Sequence, residues 1–527
     1  MGYSKGLNAS AATLTKNRTP GNVCSSSGLC ATCLDGCPGL CEVGKSAYRG
    51  RELIYPQPFG TTTSASQKDY PVDFSHLNIN GTAVGAYGIE ADSDKATFPA
   101  VNLETEIGSR NKIKLKLPIV IPGLGSTNVA RDNWEGLAVG AAITGTVLTI
   151  GENVCGMDPN SDIRDGRVIK SPDMERRVKL FQEWYNGYGA IVVQFNVEDT
   201  RLKVADYVIN ELGVEAVEIK WGQGAKDIGG EVKLPTLERA QQLKSRGYIV
   251  LPDPENPQVQ KDYRENGSIK EFERHSRIGF VDEESFMARV EELRGLGAKH
   301  VLLKTGAYRP ADLARAVKFA SLAEIDLLTV DGAGGGTGMS PWRMMNEWGV
   351  PTVYLESLLW QYLERIRAKG MYVPSVAIAG GFSLEDNMFK GMALAAPYVK
   401  AVGMARAPLA AAMVGKTVGN WVKDGNVPPE VSKRYGSTIK QIFTASTALQ
   451  QIYGDEFERI PAAAIGVYNY YDRLGMGLQQ LMCGARKFAL KYITRDDLSC
   501  ITREAADVTG LPYIMDLDAE EVEKILG

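Results

Sequence analysis

An α/β chain centred on a closed (β/α)8 barrel of the TIM type is what this sequence predicts, and three observations predict it. Eight short, near-continuous apolar runs are spaced along the middle of the chain. Helical patterns alternate with them. Each run ends in glycine or a polar residue. Runs apolar on both faces suit strands buried on two sides in a parallel sheet. Eight β/α alternations in one stretch suit a barrel. A doubly wound open sheet is the competing arrangement. The strand count and the glycines at the strand ends favour the barrel.

The strand candidates are 117–122, 146–151, 190–195, 216–221, 300–305, 327–332, 375–381 and 399–404, each rich in β-branched residues. Helical periodicity falls at 131–143, 172–186, 201–212, 236–246, 283–296, 310–323, 353–369 and 384–396. The charged, proline-punctuated segment 252–280 is expected to form an extended loop between strands four and five. The chain divides into a cysteine-rich module at 1–60, a connecting region at 61–112, the barrel at 113–420 and a helical C-terminal extension at 421–527. The extension is expected to wrap the barrel or to form a surface for a homo-oligomer.

The hydrophobic fraction is 44%, the charged fraction 23% and the net charge −4, with both signs interspersed. That balance argues for an ordinary globular protein and against nucleic acid or an anionic membrane as partner. The first twenty residues lack an apolar core segment, and Pro397, Lys400, Arg406 and Pro408 interrupt the most apolar stretch. Neither a signal peptide nor a membrane span is expected, and the predicted location is cytoplasmic.

In a barrel, chemistry gathers at the C-terminal ends of the strands. Strand one runs into Pro122-Gly-Leu-Gly-Ser-Thr-Asn128, where Gly123, Gly125 and Ser126 are read as cofactor-binding. Strands seven and eight end in Gly380-Gly381 and Gly403-Met-Ala405-Arg406. Glycines let backbone N–H groups approach a phosphate, a helix N-terminus adds a favourable dipole, and Arg406 adds an ion pair. Tight turns alone would also use those glycines. The run at 334–338 holds Gly334, Gly335, Gly336 and Gly338 around Thr337, a side-chain-free surface for a flat ring or a substrate; a flexible lid is the other reading.

Lys220 and Lys304 close apolar strands, where a lysine is costly unless paired or solvated. A cation there would stabilise the anionic reduced form of a flavin. The alternative is a salt bridge to Glu218 or Asp331, the carboxylates nearest the predicted site. Lys220, Lys304 and Asp331 are the catalytic candidates. Gln223 and Lys226, farther along the same loop as Lys220, could hold an acidic substrate, as could Thr337.

Five of the eight cysteines lie in the run Cys24-x5-Cys30-x2-Cys33-x3-Cys37-Pro38-x2-Cys41. Thiolates suit iron–sulfur clusters and zinc. Cys30, Cys33, Cys37 and Cys41 are the tightest set for a four-iron (4Fe-4S) cluster, with Cys24 spare; structural zinc is the alternative. Cys155 follows strand two and reads as a buried structural thiol or as lining the barrel mouth. The three histidines, His76, His275 and His300, leave little room for a His-based metal site.

The string Glu218-Ile-Lys-Trp-Gly-Gln-Gly-Ala-Lys226 resembles the flavin-domain motif of glutamate synthases, as does Asp331-Gly-Ala-Gly-Gly-Gly-Thr-Gly-Met-Ser-Pro341. The two lie in the same order within 115–420 and identify the chain as similar to the FMN-binding glutamate synthase-like family. The resemblance implies FMN at the barrel top and reduction of the imino acid formed from 2-oxoglutarate and ammonia. By it, Lys220, Gln223, Lys226 and Lys304 match flavin- or oxo-acid-contacting positions, and the glycines of strands seven and eight match the phosphate site. Electrons are expected through the cluster from ferredoxin or a redox partner subunit.

Three features depart from the family pattern. No terminal cysteine nucleophile follows Met1, so ammonia is expected from solution or from another subunit. No cysteine lies in 407–440, where the full-length enzymes hold a small cluster. Asp331-Gly332-Ala333 stands where those enzymes carry a His-Asp pair. A flavin oxidoreductase acting on a different amino or oxo acid, and an electron-transfer subunit, are therefore the rival readings. The absence of a Gly-x-Gly-x-x-Gly fingerprint after a strand argues against built-in nicotinamide binding.

Overall fold

The computed structural model describes residue 54 and residues 70–527 apart from 223, 225–227, 268 and 336–339. Eight parallel strands close into a barrel: β1 (Ile119–Leu124), β2 (Val147–Ile150), β3 (Ala190–Phe195), β4 (Ala216–Lys220), β5 (His300–Thr305), β6 (Leu327–Asp331), β7 (Ser375–Ala379) and β8 (Val399–Gly403). Neighbours in sequence are neighbours in space. The ring closes where Val402 and Gly403 of β8 pair with Ile119 and Val120 of β1, which rules out the open sheet.

The outer helices are α1 (Trp134–Thr144), α2 (Pro172–Gln182), α3 (Val204–Asn210), α4 (Glu283–Gly295), α5 (Pro310–Leu322), α6 (Thr352–Ala368), α7 (Glu385–Leu394) and α8 (Arg406–Lys423). Two expectations are corrected. The helical pattern at 236–246 forms Leu237–Ser245, but this helix belongs to an insertion between β4 and β5, and α8 completes the ring instead. The segment 252–280 is not an extended loop. It supplies Phe272–His275, the central strand of a three-stranded antiparallel sheet with Glu231–Leu234 and Ile249–Leu251. Buried Phe272 and Arg274 alternate there with half-exposed Glu273 and His275, the period-two pattern of a one-face-buried strand.

Alternation along the barrel strands sets the interior. Its floor is apolar: Val120, Val147, Val192, Ala216, Leu302, Leu327, Ala377 and Ala401 pack in one cluster. The hairpin Thr105–Ile107/Ile113–Leu115 supplies Ile107, Ile113 and Leu115 to the same cluster, so it plugs the N-terminal end of the barrel. Two residues farther along, the interior turns polar.

The C-terminal extension is bound to the barrel wall by α9 (Ala462–Gly484), which packs against α1 and α8. Glycines make the crossings close. A Cβ at Gly136 would lie 2.5 Å from that of Ala463, one at Gly140 would lie 2.7 Å from that of Val467, and one at Gly415 would lie 2.6 Å from the carbonyl oxygen of Ala462. Farther on, Leu498–Cys500 pairs antiparallel with Leu77–Ile79. Among the described residues, no helix is long and apolar enough to cross a membrane.

Overpacking a close crossing costs about 1–3 kcal/mol. Gly140→Val is therefore expected to lower unfolding stability by about that amount, read by urea denaturation. Glu356 on α6 carries the opposite liability. It is fully buried, and neither carboxyl oxygen has a hydrogen-bond partner among the described residues. Burial pushes its carboxyl well above the ordinary 4.5, with Arg495 opposing. A raised folded-state value gives stability that is full below the unfolded value and lost as pH rises through the folded one. Glu356→Met should raise stability near pH 7 by roughly 1–3 kcal/mol and flatten that decline, measured as melting temperature against pH.

Candidate active site

Above the apolar floor, β3 to β6 turn charged side chains into the barrel. Parallel register places Gln194 beside Glu218, Lys220 beside Lys304, and Lys304 beside Thr329. Glu218 is buried and accepts from Gln194 Nε2 at 2.5 Å and from Thr329 Oγ1 at 3.5 Å. Burial raises its carboxyl above the ordinary range, against the pull of Lys304. Lys304 Nζ lies 3.2 Å from Asp331 Oδ2. Burial alone would lower the Lys304 ammonium, but Asp331 and Glu218 hold it above its usual value. Lys220 pairs with Glu152, Nζ to Oε1 at 2.6 Å. Burial favours the neutral form of Glu152, yet Lys220 wins and holds the carboxyl low. The salt-bridge alternative thus holds for Lys304 with Asp331. For Lys220 the carboxylate is neither of the two named in that alternative: it is Glu152, from the loop after β2, because Glu218 is turned toward Gln194 and Thr329.

The β6 and β7 loops interlock through their glycines. Gly334 and Gly335 donate to the carbonyl of Gly332, and Gly332 donates to Ala379 of β7. Gly380 and Gly381 have φ of +120° and +108°, a backbone state that excludes larger side chains. Thr352, the first residue of α6, donates through Oγ1 to the Gly380 carbonyl at 2.7 Å. A Cβ at Gly380 would lie 2.4 Å from that hydroxyl and one at Gly403 would lie 2.7 Å from the Cβ of Ala379, whereas the space at Gly381 is open to 3.9 Å. Beside this gap begins α8, whose N-cap Ala405 has no side-chain hydrogen bond and whose first residue is Arg406. Burial lowers the Arg406 guanidinium, with Asp331 opposing. Uncapped helical N–H groups, open glycine backbone and a guanidinium together form a corner with the chemistry to accept an anion.

The structure therefore gathers Lys220, Lys304, Asp331, Gly334 and Gly335 at the mouth between β4 and β6, and Gly380, Gly381, Gly403, Ala405 and Arg406 at β7 and β8. Gly123, Gly125 and half-buried Ser126 stand at the end of β1. Close packing within the chain explains two of these glycines: a Cβ at Gly123 or Gly125 would lie 2.6 Å from Gln194 Oε1 or from the Glu152 carbonyl oxygen, respectively. Gln223, Lys226, Gly336, Thr337 and all five clustered cysteines, Cys24, Cys30, Cys33, Cys37 and Cys41, lie outside the described residues. Cys155 is buried, and burial drives its thiol far from the thiolate form. The histidines stand apart: His300 faces Asp326 at 3.7 Å, His275 lies on the inserted sheet, and His76 caps a short turn with Asp73.

Residues that sequence reasoning passed over complete the mouth. Gln194 is the one polar residue of an apolar run, a signal that was available. Glu152 directly follows Gly151 at the end of strand two. Arg177 of α2 is fully buried and donates from Nη1 to the Gly125 carbonyl at 3.0 Å, with its guanidinium over the Trp134 ring. No local pattern announces it. Next to Lys220 a cleft opens between the mouth and the insertion, lined among others by Glu152, Asn196, Lys220, Trp221, Ile228 and Arg277.

Removing one partner of a buried ion pair strands the other charge, at about 3–5 kcal/mol. Asp331→Ala should destabilise the fold by about that much. Lys304→Met combined with Asp331→Ala should restore most of the loss, since the pair leaves together and buried Glu218 can take up a proton, as a double-mutant denaturation cycle would measure.

Residues 273–415 match the family model described as the conserved region in glutamate synthase. That span holds Lys304, Asp331 and the glycines of β6 to β8, and it leaves Lys220 outside. Two curated relatives, the archaeal-type glutamate synthase [NADPH] of Thermotoga sp. (strain RQ2) and that of Thermotoga maritima, are each 26% identical over 314 residues, 59% of this chain and 51% of the relative. The chain thus spans about half the length of the curated relatives it matches. Among solved structures, a double mutant of flavocytochrome b2 with pyruvate bound superposes with TM-score 0.46 at 13% identity, over 86% of this chain and 82% of that one. An active chimera of (S)-mandelate dehydrogenase gives 0.43 at 13% identity, over 81% and 88%. These likenesses are too distant to carry chemistry to this chain.

Proposed function

We propose that this chain, which belongs to the glutamate synthase-like family, is an FMN- and iron–sulfur-dependent oxidoreductase that reduces the imino acid formed from 2-oxoglutarate and ammonia to glutamate. The observation that carries the reading is the charged layer of Lys220, Lys304 and Asp331 beside an open glycine corner on one barrel mouth.

The residues fit FMN. The corner of Gly380, Gly381, Gly403, Ala405 and Arg406 offers backbone N–H groups and one guanidinium to a phosphate, with open space over Gly381. Thr149 Oγ1 and Gln194 Oε1 are buried polar atoms of the barrel interior with no hydrogen-bond partner among the described residues. Such orphans are rare in a native structure and call for a partner. Bound FMN would supply hydride-transfer chemistry. The protein's part is to orient and to hold charge. Lys304, kept protonated by Asp331 and Glu218, offers a fixed positive charge at the mouth. Lys220 offers a second, anchored on Glu152. Glu218, raised by burial, can hold a proton beside Lys304.

The spacing of the clustered cysteines is the support for a relay. Phe74 packs on Phe382, just past Gly381, with ring centroids 5.2 Å apart, and its carbonyl accepts from Lys390 of α7 at 2.9 Å. Phe74 thus lies near the glycine corner. A cluster on Cys30, Cys33, Cys37 and Cys41 would accept electrons from ferredoxin or a redox partner subunit, and ammonia would come from solution or a partner. Gln223, Lys226 and Thr337 would contact the oxo acid. A protein that only passed electrons between partners would have no use for the cleft beside Lys220.

Anaerobic purification with an absorbance spectrum and iron analysis tests the reading. Flavin bands, a broad visible shoulder and about four irons per chain are expected, as a 4Fe-4S cluster requires. Folded protein with neither flavin nor iron would sink it, and flavin with zinc in place of iron would remove the relay.

A further inference from the structure

The cleft between the barrel mouth and the insertion has two cationic ends. At the mouth stands Lys220 on Glu152. At the far wall stands Arg277, two residues after the inserted strand Phe272–His275. Arg277 is held by Glu198, which is buried on the short helix Val197–Arg201 after β3: Nη1 lies 2.9 and 3.1 Å from the two carboxylate oxygens, and the Arg277 backbone N–H donates to the same group at 2.8 Å. Nη1 also donates to the Gly247 carbonyl at 3.1 Å. All three side-chain contacts use one nitrogen. Nη2 and Nε have no partner among the described residues, and the side chain is 31% exposed.

A second donor is oriented beside it. Asn196 spends its Oδ1 on the N–H groups of Glu198 and Asp199, at 2.9 and 3.1 Å. That leaves Nδ2 as the end of the amide without a partner among the described residues. Between the two polar ends the wall is apolar, with Val197, Trp221, Ile228 and Ile278, and glycines at 222, 229, 230 and 279.

We propose that this cleft is the specificity site for a dicarboxylic oxo acid, with Arg277 and Asn196 taking the carboxylate remote from the reacting carbon. The inference rests on the oxidoreductase reading above and deepens it. A planar guanidinium with one edge fixed on Glu198 presents its other edge in the fork geometry that carboxylates match. A short carbon chain spans the apolar wall. A monocarboxylic acid would fill the mouth end and leave the Arg277 edge unpaired, so the selectivity comes from a polar group that only one ligand satisfies.

The test is isothermal titration calorimetry of the FMN-loaded protein with 2-oxoglutarate and with 2-oxobutyrate. In the unaltered protein 2-oxoglutarate should bind the more tightly. Arg277→Met should weaken it by about 10–100-fold, leave 2-oxobutyrate unchanged and leave FMN content unchanged, a split that a general loss of structure would not produce. Ile278→Asp, at an exposed position of the same wall, should weaken 2-oxoglutarate selectively by placing a like charge in the cleft. If both variants bind 2-oxoglutarate as the unaltered protein does, the proposal fails and the oxidoreductase reading stands. If the unaltered protein, loaded with FMN, binds neither acid, both fall.

Discussion

A layer of buried charge inside a closed barrel is the constraint on which the rest of this structure depends. Lys304, Glu218 and Asp331 all face inward from neighbouring strands, where an isolated ion would be untenable. Each is matched: Lys304 by Asp331, Glu218 by Gln194 and Thr329, Lys220 by Glu152. The matching requires the strands to hold one register. A slip of one residue on β5 would turn Lys304 out against the helices and bring an apolar neighbour into the polar layer. Buried pairs of this kind are weak sources of stability and strong sources of specificity in position.

Supports for that register come from outside the barrel. The hairpin Thr105–Ile107/Ile113–Leu115 fills the floor with apolar side chains, so the charged layer has water only on its upper side. The helix Ala462–Gly484 lies against α1 and α8, which flank the seam where β8 meets β1. Glycine at the crossings lets the backbones approach, and the pairing of Leu498–Cys500 with Leu77–Ile79 ties both flanking segments to one wall. The glycine corner at β7 and β8 is thus held by packing on the side away from the mouth. Its open face lies over Gly381.

The insertion between β4 and β5 is the other element that shapes the mouth. Its three strands bury one face against the barrel, and Arg274 is the charged exception, stacked over Tyr248. The turn that follows brings Arg277 to Glu198 and forms the far wall of the cleft. In a fold that carries many chemistries, such insertions above the strand ends are where one enzyme comes to differ from another.

The sequence by itself determined the eight-strand periodicity, the strand ends at Lys220, Lys304 and Asp331, and the glycine corner. These are local signals: apolar runs with a charged last residue, and glycines where the backbone must adopt positive φ. It was blind where the cause is not local. The helix at 236–246 has the same periodicity as the barrel helices, and only the closure of the sheet excludes it from the ring. The strand Phe272–His275 lay hidden in a charged segment because half of its residues face solvent. Glu152, Arg177, Asn196 and Arg277 look like ordinary surface polar residues in the chain. Tertiary structure alone gave Lys220 its partner and Arg277 its place, because ion pairs between residues 68 and 79 positions apart are set by which loops the barrel brings together, and no short window of sequence contains both ends.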